Sequence, residues 1–317
     1  MKYEFPKEFL WGAATASHQV EGGLTNNWTQ WELKTALRNS KRGVRPTVRS
    51  LEKMASEEEN YFSNSKYSPE SFKNWKKDIE VIKKLGLKAY RLSVEWSRIE
   101  PKKGEFSKEG IEYYRKLLKE LKENDIKVVL TCWHWTLPLW LVREGGLLSK
   151  NMVEYFERYV SFLARELSEY VDYWITINEP EAVSAGGYLM GNWPPGDRNP
   201  FKFHRVYKKV LVNMHISAYK AIKEKDNEKP VSLAKNIWHA TSYNRMPWNT
   251  LVKNIYNYYM TYSFLDKVIK YIDFISLNFY FYSKIGIMGQ RNDNDKVSDL
   301  GWWLKPEKIY NVIKMVY

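Results

Sequence analysis

The chain has 317 residues, 44% of them hydrophobic and 27% charged, with a net charge of +13. That balance describes a soluble globular protein with a sizeable core, and no run approaches the eighteen apolar residues of a membrane span. A single cysteine, Cys132, excludes an intramolecular disulfide and a cysteine-rich metal site. Much of the positive excess falls on Lys34, Arg38, Lys41, Arg42, Arg45, Arg49 and Lys53, opposed in that interval by Glu52. No DNA- or RNA-binding motif accompanies it, so we read a basic loop and no nucleic-acid partner. The N-terminus opens with Met1-Lys2-Tyr3-Glu4-Phe5-Pro6 and shows no apolar leader, which sets the expectation of a cytoplasmic protein.

In chain order, strand-like runs alternate with longer helical ones. Phe9 to Ala14 reads as a first strand. Ser71 to Leu85 follows as a helix with Phe72, Trp75, Ile79, Ile82 and Leu85 on one face and Gly86 as its stop. Lys88 to Val94 is the second strand. Ser107 caps a helix whose apolar face is Ile111, Tyr114, Leu118 and Leu121. Val128 to Cys132, Val171 to Ile177, Val231 to Asn236 and Phe274 to Asn278 are strands three to six. The connections are long enough for helical crossovers, so the class is α/β, either a doubly wound sheet or a (β/α) barrel. No Gly-x-Gly-x-x-Gly or Walker-type loop is present, and nothing marks a second domain. One domain over 1–317 is the expectation.

Polar and aromatic residues gather where the strands finish. Strand one runs on to His18-Gln19, strand two carries Arg91 toward Glu95-Trp96, and strand three ends in Trp133-His134-Trp135. Strand four breaks at Asn178-Glu179-Pro180, and strand six ends in Asn278-Phe279-Tyr280. Pro180 removes a backbone donor and stops the ladder, leaving an amide and a carboxyl at the strand end. In a barrel these ends share the face that holds active sites. Amides and imidazole bind hydroxyls, indoles stack on sugar rings, and a carboxyl moves a proton. Fourteen Trp and twenty-three Tyr suit such a pocket, although composition alone leaves open whether they merely fill the core.

The blocks FLWGAATASHQVEGG, YRLSVEWSRIEPKKGEF, TCWHWTLPLWL, ITINEP and DFISLNFY, with the late DLGWWLKPEKIY, resemble the successive signatures of family 1 glycoside hydrolases. That is the β-glucosidase and β-galactosidase family. The resemblance implies a retaining hydrolase on a (β/α)8 TIM barrel, with no metal or organic cofactor. It implies Glu179 as catalytic acid/base and Asn178 as the contact to the sugar 2-hydroxyl. It implies Gln19, His134 and Trp135 as sugar-binding residues, and Arg91, Asn278 and Tyr280 as residues that orient the nucleophile. The partner implied is a β-linked glucoside or galactoside.

The family's second carboxylate belongs to a Glu-Asn-Gly motif, and this sequence has none. Its Glu-Asn pairs are Glu59-Asn60 in a charged loop and Glu123-Asn124 at a helix end. The expectation is therefore an incomplete barrel of about six βα units, with strands one and six unpaired and the nucleophile absent. Three readings follow: a truncated family 1 enzyme, one half of a split enzyme completed by a second fragment or an oligomer, or a non-catalytic sugar-binding relative. A different second carboxylate, Glu95 or Asp299, is the remaining alternative.

Overall fold

The computed structural model describes residues 4–41, 68–237, 240–293, 295–298 and 301–316. Arg42, Arg45, Arg49, Glu52 and Lys53 of the basic run, the Glu59-Asn60 pair and Asp299 lie outside them. Among the described residues no helix is long and apolar enough to cross a membrane.

Six parallel strands form the central sheet: β1 (Gly12–Ala14), β2 (Ala89–Ser93), β3 (Lys127–Trp133), β4 (Tyr173–Asn178), β5 (Val231–Asn236) and β7 (Ser276–Asn278). They pair in chain order, each with the next. The intervening chain packs helices on the outer face, chiefly α2 (Ser71–Lys84), α3 (Lys108–Glu123), α4 (Met152–Leu167) and α5 (Leu211–Lys225). A further helix, α1 (Asn27–Lys41), follows β1. The sheet is curled: Arg91 on β2 reaches Asn278 on β7 across the three strands between them. It does not close. Among the described residues β1 and β7 are not paired with each other, as expected for six strands of an eight-stranded barrel.

The predicted helices form for the reasons given. Ser107 accepts a hydrogen bond from the Gly110 amide at 3.0 Å and starts α3, whose Ile111, Tyr114, Leu118 and Leu121 are buried. In α2, Ile79 and Ile82 are buried and Phe72 and Trp75 pack against the core, but Leu85 is 66% exposed. Leu85 is already the C-cap, where the chain turns away before Gly86 at φ 67°.

Strand limits differ from expectation by two residues or more at three starts. Phe9 and Trp11 are not in β1; with Phe5 they form an exposed aromatic cluster, with ring centroids 4.5–4.8 Å apart. Gly12 then takes up the pairing, where an added Cβ would lie 2.6 Å from the Ala89 carbonyl oxygen. The other two starts share one device. The Asp172 carboxylate accepts from the Val128 amide at 2.9 Å and delays β4, and Asp273 does the same to the Val231 amide at 2.8 Å before β7. Each satisfies an amide at the start of the neighbouring strand.

A second, small sheet was not foreseen: β6 (Ala240–Ser242), β8 (Ser283–Gly286) and β9 (Gly289–Gln290). Runs of two to four residues give no readable periodicity. The aromatic question divides cleanly. Trp96, Trp133 and Trp174 are fully buried core, Trp96 stacking on Tyr159 at 4.5 Å, whereas Trp28, Trp135 and Trp193 stack together beside the strand ends.

Candidate active site

The site begins with a break in β4. Its register to β5 shifts between Ile175 and Asn178, so the last two residues are re-aimed. Glu179 then adopts φ 45° and ψ 69°, a left-handed conformation that costs a non-glycine residue about 1–2 kcal/mol. Its amide donates to the Ala234 carbonyl at 2.7 Å, and Pro180 opens the helical turn Pro180–Ser184. Strain at a buried carboxylate is a mark of a position held for chemistry.

Arg91 organises the floor. From β2 its guanidinium donates to Thr131 Oγ1 at 3.1 Å, Asn178 Oδ1 at 2.5 Å and Asn278 Oδ1 at 3.2 Å, joining four strands. Burial lowers its proton affinity, opposed by the neighbouring Tyr280 oxygen and the Glu179 carboxylate. Asn178 Nδ2 donates to His134 Nε2 at 3.1 Å, which assigns the His134 proton to Nδ1. Burial, then Arg91 and His18, push His134 down to about 3, so its ring is neutral and able to accept. Trp135, itself at φ 77°, donates Nε1 to the Asn178 carbonyl at 2.7 Å and stacks on Trp193 at 4.9 Å.

Glu179 completes the cluster. Its Oε1 accepts from Tyr280 Oη at 2.7 Å and from Asn278 Nδ2. Burial and the Glu179 charge push the Tyr280 hydroxyl well above its ordinary range, so it stays a donor. Thus Arg91, His134, Trp135, Asn178, Glu179, Asn278 and Tyr280 form one connected network. Gln19 does not join it. It lies in the helical turn Ser17–Val20 with its side chain exposed, and makes no hydrogen bond to that network among the described residues.

This arrangement of strand ends coincides with a sequence match over nearly the whole chain: the model of Glycosyl hydrolase family 1 covers residues 1–300. The chain belongs to that family. It is 26% identical to the 1,4-β-D-glucan glucohydrolase of Thermotoga neapolitana, with 99% of this chain and 79% of that protein aligned. It is also 26% identical to β-glucosidase A of Thermotoga maritima, over 99% of this chain and 75% of that one. A solved family 1 β-glucosidase from Thermotoga maritima superposes with a TM-score of 0.81 at 25% identity, over 98% of this chain and 74% of that one. The β-glycosidase of Pyrococcus horikoshii does so with a TM-score of 0.82 at 26% identity, covering all of this chain and 74% of its own.

Three features of this family 1 site escape sequence reading. His18 lies between Asn26 at 3.2 Å and Glu32 at 3.3 Å, and its charge acts on His134. Burial lowers its proton affinity, but the Glu32 hydrogen bond and the charges of Glu32, Glu95 and Glu21 outweigh that and raise it. Beside Glu179, Glu181 and Lys235 form an ion pair of 2.6 Å with both side chains only 2% exposed. Lys235 also donates to the Met260 carbonyl at 2.7 Å, and the Asn236 amide donates to Glu181 Oε1 at 2.7 Å. A Glu two residues past a candidate catalytic Glu was the available signal; Lys235, inside a strand, carried none.

Glu95, weighed as a second carboxylate, is fully buried and already occupied. It accepts from Ser97 Oγ at 2.6 Å, Thr136 Oγ1 at 3.0 Å and Asn26 Nδ2 at 3.3 Å, and caps the turn Trp96–Ile99. It holds loops together.

Proposed function

We propose that residues 1–317 form one domain carrying the acid/base half of a retaining β-glycosidase. The observation that carries this reading is the buried carboxyl of Glu179, held at a strand end by Tyr280 and Asn278 beside Asn178 and His134. In the reaction Glu179 protonates the glycosidic oxygen as the leaving group departs, then takes a proton from the incoming water. Asn178 contacts the 2-hydroxyl, His134 offers its Nδ1 proton to a sugar hydroxyl, and Trp135 gives the ring an apolar wall. Gln19, exposed in this structure, joins the sugar contacts once the mouth is complete.

A retaining mechanism needs a second carboxylate about 5–5.5 Å from the first. Glu181 is neutralised by Lys235 and Glu95 is fully engaged, so neither is free to attack. We assign the nucleophile to additional βα units that pair with β1 and β7 and close the barrel. With them in place, Asn278 and Tyr280 turn from Glu179 and, with Arg91, orient that nucleophile. The relatives' names support β-linked glucosides as substrates.

The stereochemistry of hydrolysis tests this reading. Proton NMR of the reaction, catalysed by the chain joined to its missing units, will show β-glucose as the first product, with the α-anomer appearing only by mutarotation. First release of α-glucose would replace the retaining mechanism by an inverting one.

A further inference from the structure

A cleft of about 350 Å³ opens behind the sugar-site network, between α1, the chain after β3 and the chain after β4. Its walls are mostly apolar: Trp31, Trp135, Leu137, Leu147, Leu148 and Tyr188. None of Glu179, Asn278 or Tyr280 lines it; only Trp135 is common to the cleft and the network. Ordinary packing faults are closed by neighbouring side chains that relax into them. Part of these walls is fixed by backbone. The Trp31 ring lies flat on Gly196, at φ 86°, where an added Cβ would sit 2.5 Å from its Cη2. Pro194 and Pro195 line one side, and the left-handed pair Gly145 and Gly146, at φ 101° and 59°, shapes another. Asn27 Oδ1 accepts from the Leu137 amide at 2.6 Å and ties two of the walls together.

The charge at the mouth is one-sided. Lys202 is held by Asp197 at 2.8 Å, whereas Lys34 has no acidic partner among the described residues. A rigid apolar cleft of this size with one uncompensated cation matches a small ring compound with an acidic substituent. We propose that this cleft is a second binding site, separate from the sugar site, for a small apolar ring compound that carries a negative charge. The ring body packs on Trp31, Trp135 and Leu148, and the acidic group meets Lys34. The proposal does not rest on the glycosidase reading.

Calorimetric titration of the 317-residue protein with naphthoate, and with uncharged naphthol, tests it. Naphthoate will bind saturably at one site, and excess glucose will not displace it. Val142 lines the cleft yet is 37% exposed, so Val142→Trp narrows the space without touching the core. It will weaken naphthoate by about ten-fold or more. Leu148→Trp, filling from another wall, will do the same. Lys34→Gln will weaken naphthoate about two- to five-fold, as for an exposed ion pair, and leave naphthol unchanged. Absence of saturable naphthoate binding, displacement by glucose, or undiminished affinity in both filled variants would overturn the proposal. Equal effects of Lys34→Gln on the two probes would overturn its charge preference.

Discussion

Joined to the segment of Thermotoga maritima β-glucosidase A that follows its aligned region, this chain will hydrolyse a nitrophenyl β-glucoside, whereas the 317 residues alone will not. The chimera will turn over in the range usual for enzymes, about 1–1,000 per second. The chain alone will be at least about 1,000-fold slower, because residues that act as a unit lose nearly everything when one is missing. The physical ground is the site itself. Glu179 is positioned by Tyr280 and Asn278, but the two other candidate carboxylates are spent: Glu181 on Lys235, and Glu95 on Ser97, Thr136 and Asn26. Closing the sheet also supplies β1 and β7 with the neighbours whose absence leaves their backbone edges open. Initial rates of nitrophenol release at matched concentrations decide the matter. Comparable rates from the two proteins would mean that a carboxylate already in this chain attacks the sugar.

Lys235→Met will cost the fold about 3–5 kcal/mol, the usual penalty for removing one partner of a buried ion pair. Both side chains are 2% exposed, and without Lys235 the Glu181 carboxylate keeps the Asn236 amide but no cation among the described residues. The sign with pH follows from the same burial. Burial raises the Glu181 proton affinity, and Lys235 opposes that rise. Loss of Lys235 therefore raises it further. A carboxyl whose folded pKa lies above its unfolded value favours the fold in acid, and that contribution is lost as pH rises. The deficit of Lys235→Met will be smallest below pH about 4.5 and will grow toward neutrality. Replacing both partners, Glu181→Leu with Lys235→Met, will recover most of the loss, since an apolar pair of similar volume carries no stranded charge. Urea unfolding curves of the three proteins measure this. A single variant within about 1 kcal/mol of the parent, or a deficit independent of pH, would show that the pair is not buried as described.

Much of this architecture was legible because the sheet is parallel and its strands are short apolar runs separated by amphipathic helices. The Ser107 cap, the α3 face and all six central strands lie where the sequence pattern put them, with two starts shifted where Asp172 and Asp273 satisfy amides at the start of the neighbouring strands. The site was legible for a different reason. Asn and Glu at the end of a strand run against strand propensity, and that contradiction points to the mouth. What stayed hidden was pairing at a distance. Nothing local to Lys235 announces Glu181, and nothing near His18 announces Glu32 or its charge on His134. The small sheet of β6, β8 and β9 is too short to carry a period. Neither could the sequence show that Arg91 would bridge Asn178 and Asn278, because that contact exists only when the sheet curls.

The most direct measurement is the turnover of Glu179→Gln in the chimera, on a nitrophenyl glucoside and on a β-linked glucose disaccharide. Glutamine keeps the shape of the side chain and an acceptor oxygen but can neither give nor take the proton. With the disaccharide, whose leaving group needs a proton, turnover will fall by about 100- to 10,000-fold. With the nitrophenyl glucoside, glycosyl-enzyme formation will be nearly normal and its hydrolysis slow, so an initial burst of nitrophenol will precede a weak steady rate. Parent-like turnover of both substrates by the variant would contradict the assignment of Glu179 as the acid/base.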